Sequence, residues 1–150
     1  MRILFFILLG VLILIGIYFL IGIYFYNIAL NPKKGKPDGL EETIEETLGE
    51  KELRIENENW LKENSKDIYI KTTNNGTLNL HAYEMENPQK SDVWVIVIHG
   101  YLIEGKNMAY YAREFYNRGY NVLLVDLRGH GQSEGNYVGM GWHDRLDIID

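Results

Sequence analysis

The sequence has 150 residues, of which 46% are hydrophobic and 24% are charged, and its formal net charge at pH 7 is −6. These proportions are close to those of globular proteins and exclude a wholly disordered or low-complexity chain. The negative charge argues against nucleic acid as a partner, because binding to phosphates needs clustered cations. Cysteine is absent, which excludes disulfides, thiolate metal sites and a cysteine nucleophile.

The N-terminal segment is predicted to be a transmembrane anchor, here taken as residues 1–30. Residues 3–26 carry no charged side chain, and a helix of that length spans roughly 36 Å, more than the ~30 Å hydrocarbon core of a bilayer. The run is too long for the apolar part of a cleavable signal peptide, and its C-terminal half is rich in aromatic residues, as in an interfacial belt. The expected partner of residues 3–26 is therefore the lipid bilayer.

The orientation of this anchor stays open on the residues alone. Lys33, Lys34 and Lys36 follow the span, whereas only Arg2 and the terminal amine precede it. The positive-inside rule then favours a cytoplasmic C-terminal part. A very short N-terminus, in contrast, is the usual form of an anchor that exports the rest of its chain.

Residues 31–65 are predicted to form a linker and an acidic spacer helix. Two of the three prolines lie in residues 31–39, which indicates a linker. Apolar residues then recur at helical spacing at Leu40, Ile44 and Leu48, and we expect Gly49 to break this helix. Residues 60 and 61, Trp and Leu, are expected to contact the following domain. A solvated spacer helix is the favoured interpretation, and a partner-binding helix is the alternative.

From residue 66 the hydrophobic period changes from helical to that of strands. Two alternating runs, residues 68–72 and 78–83, flank the turn sequence Asn74-Asn75-Gly76. This is the strongest short-range signal for a β-hairpin.

Two continuous apolar runs follow, residues 93–98 and 121–127, and such runs are typical of strands buried on both faces of a parallel sheet. Between them Asn107 is predicted to cap a helix and Gly119 to end it. The order of elements predicts an α/β domain over residues 66–150, with antiparallel edge strands and a right-handed crossover. The strand at 121–127 is expected to be central in a complete sheet but to have one uncovered edge here.

A polar loop follows each of these two strands, namely residues 99–101 (HGY) and 126–135 (DLRGHGQSEG). Sites in open α/β sheets form at the carboxyl ends of strands, where both loops are expected to meet. Gly100 lets the backbone turn so that the next amide can point at an anion, as an oxyanion hole requires. A side chain at Gly100 is therefore predicted to clash in the complete enzyme.

The two loops in this order resemble the first half of an α/β-hydrolase, and they are most similar to the serine aminopeptidase-like and monoacylglycerol lipase-like hydrolases. Residues 137–145 resemble a bacterial, membrane-anchored subgroup whose catalytic domain is regarded as extracytoplasmic. The resemblance implies hydrolysis of an ester or amide bond in a small-molecule or peptide substrate by a Ser-His-Asp triad, and no cofactor is expected. No metal is expected either, because the four histidines lack the spacing of metal ligands.

The resemblance also implies roles for individual residues. The backbone N–H of Tyr101 is expected to be one donor of the oxyanion hole, and His99 and Gly100 are expected to support that loop, with His99 not serving as the triad base. Arg128 and His130 are expected to order the second loop, with Asp126 or Asp147 as the carboxylate partner. The residues of this active-site loop are Asp126, Arg128, Gly129, His130 and Gly131.

Residues 131–135 satisfy the G-x-S-x-G pattern of a nucleophile elbow around Ser133. An elbow requires a strand that ends at the first glycine and a helix that begins at the serine. The strand is expected to end near Leu127, and residues 136–141 do not favour a helix. Ser133 is therefore predicted to be a loop residue.

No member of the triad is identified in these residues, and the 150 residues are predicted to be an N-terminal part that is inactive alone. A helix is expected to open near Gly141 and to continue to Asp150, with His143 and Asp144 in its first turn. Three alternatives stay open: a serine hydrolase, a related enzyme with an aspartate nucleophile, and a truncated or degenerate membrane-anchored binding module.

Overall fold

The computed structural model describes residues 2–32, 48–74 and 76–150. The predicted linker beyond residue 32, the helix edge at Leu40 and Ile44, and Asn75 of the hairpin turn lie outside the described residues. The elements in chain order are α1 (Arg2–Ala29), α2 (Leu48–Asn64), β1 (Lys66–Lys71), β2 (Asn79–Met85), β3 (Trp94–Ile98), a 3₁₀ turn (Gly105–Met108), α3 (Ala109–Asn117), β4 (Asn121–Val125) and α4 (Asp144–Asp147).

The first helix, α1, has 28 residues and no buried side chain. Within the described parts of the chain it is the one helix that is long and apolar enough to cross a membrane. Its extent agrees with the predicted helix at residues 3–26. Because its apolar side chains point outward all round, α1 does not have the one-sided pattern of a helix that packs on a core.

The four strands form one mixed sheet in the order β1-β2-β4-β3. The antiparallel β1–β2 pair, with Ile68 opposite Ala82, confirms the predicted hairpin. In the loop between them Gly76 has a positive φ of 82°, which glycine adopts at little cost. Strands β3 and β4 are parallel and α3 connects them, so the α/β fold class is confirmed.

The burial of the two parallel strands differs from the prediction. In β4, Val122 and Leu124 are both 0% exposed, but the alternate side chains of β3 from Trp94 to Ile98 stay 44–45% exposed. The reason is the strand order, since β4 pairs with a strand on each side and β3 lies at the end of the sheet. Among the described strands the open edges therefore belong to β1 and β3, and the expectation of an uncovered edge at β4 was wrong.

Helix α2 runs through Gly49, so the predicted break there was wrong. A glycine inside a helix costs only about 1 kcal/mol, and tertiary contacts stabilise this helix. Leu61 is 1% exposed in the hydrophobic core, and the Trp60 ring packs edge-on against Tyr116. The predicted contact of Trp60 and Leu61 with the domain is confirmed.

The turn before α3 also differs in detail from the prediction. The side-chain oxygen of Asn107 accepts the Glu104 N–H at 2.9 Å, and the Asn107 N–H bonds the Glu104 carbonyl at 3.0 Å. Asn107 is thus the third residue of the 3₁₀ turn, and Glu104 occupies the cap position. Gly119 ends the helix with a φ of 89°, as predicted.

The segment after residue 140 forms only a short helix, because α4 ends at Asp147. The expectation that it continues to Asp150 was wrong. The Asp150 carboxylate instead accepts hydrogen bonds from the Thr73 hydroxyl and the Asn74 amide group, each at 2.6 Å. Asp144 holds the start of α4, since its carboxylate accepts the Gly141 N–H at 2.6 Å.

Candidate active site

The two polar loops meet at the carboxyl ends of β3 and β4, and the buried side chain of His99 links them. Its Nδ1 lies 2.8 Å from the Gly100 carbonyl oxygen, and its Nε2 accepts the Leu127 N–H at 3.0 Å. Because a backbone N–H can only donate, Nε2 carries no proton and Nδ1 is the donor to Gly100. Both ring nitrogens are thereby engaged, which leaves neither of them for a proton-transfer role. The function of His99 in an oxyanion loop stays a prediction.

Asp126 lies directly after β4 and is 2% exposed. Its carboxylate accepts the backbone N–H of Gly105 at 2.7 Å and that of Gln132 at 3.0 Å, and it lies 2.7 Å from His81 Nδ1. A buried carboxylate is costly unless such donors satisfy it. Asp126 therefore joins β2, the turn before α3 and the second polar loop.

His81 belongs to the same cluster, although it was not predicted from the sequence to do so. His81 is 1% exposed, and its Nε2 lies 2.8 Å from a carboxylate oxygen of Asp67 on β1. The hairpin register contains the signal, because Tyr69 is opposite His81 and Asp67 is therefore its diagonal neighbour. Since both ring nitrogens face carboxylates, His81 is a structural bridge.

Arg128 and Asp147 form a second buried cluster beside the first. They are 1% and 8% exposed, and the guanidinium binds the carboxylate in a bidentate manner, with Nε to Oδ2 at 2.6 Å and Nη2 to Oδ1. The hydrogen bonds to Asp147 are the main reason that the pKa of Arg128 is raised. Of the two carboxylates left open by the resemblance, Asp147 is therefore the partner of Arg128.

His130 projects from the second loop toward His99, and the two ring centres are 4.8 Å apart. Its Nδ1 lies 3.1 Å from the Arg128 carbonyl oxygen. Its Nε2 is buried and has no hydrogen-bond partner among the residues that the structure describes. Burial is the largest cause of the lowered pKa of His130, and the neighbouring His99 adds to it.

The glycines of the two loops differ in how much they constrain the chain. At Gly100 an added Cβ would meet nothing closer than Ile103 Cδ1 at 4.0 Å, and its φ is not in the left-handed region. Within the described residues a side chain at Gly100 would therefore meet no clash, and the clash expected in the complete enzyme stays a prediction. At Gly131, with a φ of 48°, an added Cβ would overlap the Asp126 carboxylate. A Cβ at Gly129 would lie 2.9 Å from the Tyr137 carbonyl oxygen.

A cleft of about 580 Å³ opens beside both loops. Its apolar lining includes Ile98, Leu127 and Val138, and Tyr101 lies in its wall. The Tyr101 phenol donates to the Ala29 carbonyl oxygen at 2.6 Å. The Tyr101 backbone N–H, in contrast, has no acceptor within residues 2–32, 48–74 and 76–150.

The Ser133 hydroxyl is engaged in backbone contacts. It donates to the Asp126 carbonyl oxygen at 2.5 Å and accepts the His81 N–H at 2.8 Å. The other two serines are similar, since Ser65 donates to the Leu61 carbonyl at 2.7 Å and Ser91 to that of Val93 at 3.4 Å. Ser133 also follows a turn and precedes no helix, so the requirements of a nucleophile elbow are not met.

Comparisons with known proteins agree with this arrangement of strands and loops. The family model described as serine aminopeptidase, S33, matches residues 89–147. The esterase Pf2001 of Pyrococcus furiosus is similar in structure, with a TM-score of 0.54 and 31% identity over 61% of this chain and 35% of the esterase. The uncharacterized protein YqkD of Bacillus subtilis is 33% identical over 61 residues, which are 41% of this chain and 20% of that protein.

The sheet and the two loops at its carboxyl end define the first part of an α/β-hydrolase fold. The family match lies in the segment that carries both loops, so this segment is similar to the serine aminopeptidase family of α/β-hydrolases. The chain spans about a third of the length of the similar esterase and a fifth of that of the Bacillus relative.

We predict that Gly131→Ala destabilises the folded chain by several kcal/mol, whereas Gly100→Ala changes its stability by less than about 1 kcal/mol. The Asp126 carboxylate cannot move away from a new methyl group at Gly131 without losing its own hydrogen bonds. Urea unfolding of the full chain in detergent measures both variants. Equal losses for the two alanine variants would contradict this assignment of the tight glycine.

We predict that His130 makes stability depend on pH below its ordinary pKa of 6.5. The folded chain disfavours the protonated ring, but the unfolded chain protonates as the pH falls through about 6.5. The contribution is therefore fully present above pH 6.5 and is lost as the pH falls toward the lower pKa of the folded state. The free energy of unfolding should fall more steeply between about pH 7 and pH 5 in the natural chain than in His130→Gln. If the free energy of unfolding falls equally with pH in the natural chain and in His130→Gln, the prediction is wrong.

Proposed function

We propose that the chain is the oxyanion-hole side of a membrane-anchored serine hydrolase that cleaves an ester or amide bond. The observation that carries this proposal is the Tyr101 backbone N–H, which has no acceptor in the described parts of the chain and belongs to a residue that lines an apolar cleft. A fixed donor at such a place stabilises the negative charge of a tetrahedral intermediate, and removal of one donor typically costs about 10²–10³-fold in kcat.

The surrounding contacts support this role for the Tyr101 loop. His99 ties the carbonyl of Gly100 to the Leu127 amide, and the Tyr101 phenol is bound to the end of α1. Both contacts restrict the backbone on either side of the Tyr101 amide, and a preorganised donor needs no rearrangement during the reaction. The proposed contribution of Tyr101 is therefore that of its backbone and not of its phenol.

The proposal places the nucleophile outside these 150 residues. The three serine hydroxyls all donate to backbone carbonyl groups, and neither His81 nor His99 has a free ring nitrogen. In the proposed reaction a serine Oγ attacks the substrate carbonyl, a histidine takes its proton, and the oxyanion forms at the Tyr101 amide. The leaving group then takes that proton, and water hydrolyses the acyl-enzyme.

The anchor in this proposal is α1. None of its 28 residues is buried, and they have the length and composition of a membrane span. Following the resemblance of residues 137–145, we propose that the hydrolase part is extracytoplasmic.

The second candidate is a membrane-anchored binding module without catalysis. It is favoured by the same engagement of all three serine hydroxyls, together with the apolar cleft of about 580 Å³. Such a cleft can hold a ligand without any covalent step.

A serine-directed fluorophosphonate distinguishes the two candidates. We predict that the 150-residue chain is not modified, because none of its serine hydroxyls is paired with a base. The natural protein that contains these residues, recovered from membranes, should be modified at a serine other than Ser65, Ser91 and Ser133. Mass spectrometry of the digested proteins locates the adduct.

The control is Ser133→Ala in the same chain, which should behave as the unsubstituted chain does. An adduct on Ser133 would overturn the proposal, because it would place the nucleophile in the second loop. A natural protein that carries no adduct would favour the binding module.

A further inference from the structure

The rim of the cleft carries large side chains that point to solvent. Met140 is 61% exposed and Trp142 is 67% exposed, although Met140 also lines the cleft. The Arg145 guanidinium lies over the Trp142 ring, 4.2 Å from its centre, and donates to the Trp142 carbonyl at 2.8 Å. We call Met140, Trp142 and Arg145 the rim patch.

The rim patch belongs to a part of the domain that is bound to the end of α1. The Val138 N–H donates to the Leu30 carbonyl at 2.8 Å, and Val138 lines the cleft together with Met140 and Arg145. The opposite wall includes Tyr101, whose phenol donates to the carbonyl of Ala29. Two independent hydrogen bonds thus hold the mouth of the cleft against the last turn of the helix.

The length of α1 sets the depth of these contacts. The continuous apolar run ends at Tyr26, before the polar Asn27, and Ala29 lies three residues beyond Tyr26, which is about 4.5 Å along a helix. The run itself is longer than the hydrocarbon core. Groups bound to Ala29 and Leu30 therefore lie at the level of the lipid headgroups when α1 spans a bilayer.

The side chains of the rim patch are of the kinds that favour the level of the lipid headgroups. Tryptophan is enriched at membrane interfaces because its ring is apolar and its N–H needs a polar partner. Arginine places its apolar stem beside acyl chains and its charge among headgroups. An exposed methionine contributes a flexible apolar side chain that adapts to an irregular surface.

We infer that the rim patch of Met140, Trp142 and Arg145 inserts into the interface of the leaflet from which α1 emerges, so that the cleft opens at the bilayer surface. This inference rests on the anchoring part of the proposed function. The partner is the lipid bilayer itself. Its apolar and headgroup layers match a tryptophan and an arginine that are stacked side by side, at the end of a membrane span.

Tryptophan fluorescence in vesicles tests this inference on the full chain. Two single variants are compared in phosphatidylcholine vesicles. Trp94→Phe retains Trp142 in the rim patch, and Trp142→Phe retains Trp94 on the exposed face of β3. Trp60 is present in both variants and contributes equally. The probes are lipids brominated near the top of the acyl chain and aqueous iodide.

We predict that brominated lipid reduces the emission of the variant that retains Trp142, whereas iodide reduces that of the variant that retains Trp94. Emission from Trp142 should also move to shorter wavelength when detergent-free vesicles are formed. The inference is overturned if iodide quenches Trp142 as strongly as Trp94. It is equally overturned if neither quencher reaches Trp142, since another protein surface then covers the rim patch.

Flotation of the same vesicles in a density gradient separates this inference from the anchor. A chain that floats with the vesicles but shows no quenching by brominated lipid retains its anchor and lacks the rim contact. A chain that does not float contradicts the anchor and the rim contact together. Neither readout depends on hydrolysis, so the proposed enzymatic activity is tested separately by the fluorophosphonate.

Discussion

The arrangement of the site depends on one buried carboxylate, that of Asp126 at the end of β4. It accepts two backbone N–H groups and faces the ring of His81, and because a buried charge costs several kcal/mol when it is unsatisfied, these partners must stay in place. They belong to β2, the turn before α3 and the second polar loop. Asp126 therefore determines where three separate segments meet, and the absence of a side chain at Gly131 is a direct consequence.

A second buried carboxylate, that of Asp147, contacts the second polar loop. Through its bidentate contact with Arg128 it fixes α4 against the second loop, and His99 links that loop to the one after β3. The end of α1 also contacts the first polar loop, because the Ala29 carbonyl oxygen accepts a hydrogen bond from the Tyr101 phenol. The Tyr101 amide is thus held from several sides, which is the condition under which a single backbone donor contributes to catalysis.

Local patterns predicted the elements, but the site and the edge of the sheet depend on contacts between distant segments. The run without charged residues predicted α1, and the two alternating runs predicted the β1–β2 hairpin. The exposure of β3 could not be predicted, since a continuous apolar run does not reveal which strand lies at the end of a sheet. The role of His81 was also missed, because its partner Asp126 is 45 residues away. The lack of space at Gly131 was not predicted, since neither the backbone angle nor the neighbouring carboxylate can be read from spacing.

The most direct test of the central role of Asp126 compares the free energy of unfolding of Asp126→Asn and Asp67→Asn by urea titration of the full chain. Both carboxylates contact His81, but the side chain of Asp126 is 1% exposed and that of Asp67 is 62% exposed. We predict that Asp126→Asn loses about 3 kcal/mol, because the new amide group presents its own N–H to a donor. Asp67→Asn should lose less than about 1 kcal/mol. Equal losses, or an Asp126→Asn variant as stable as the natural chain, would contradict the central role of this carboxylate.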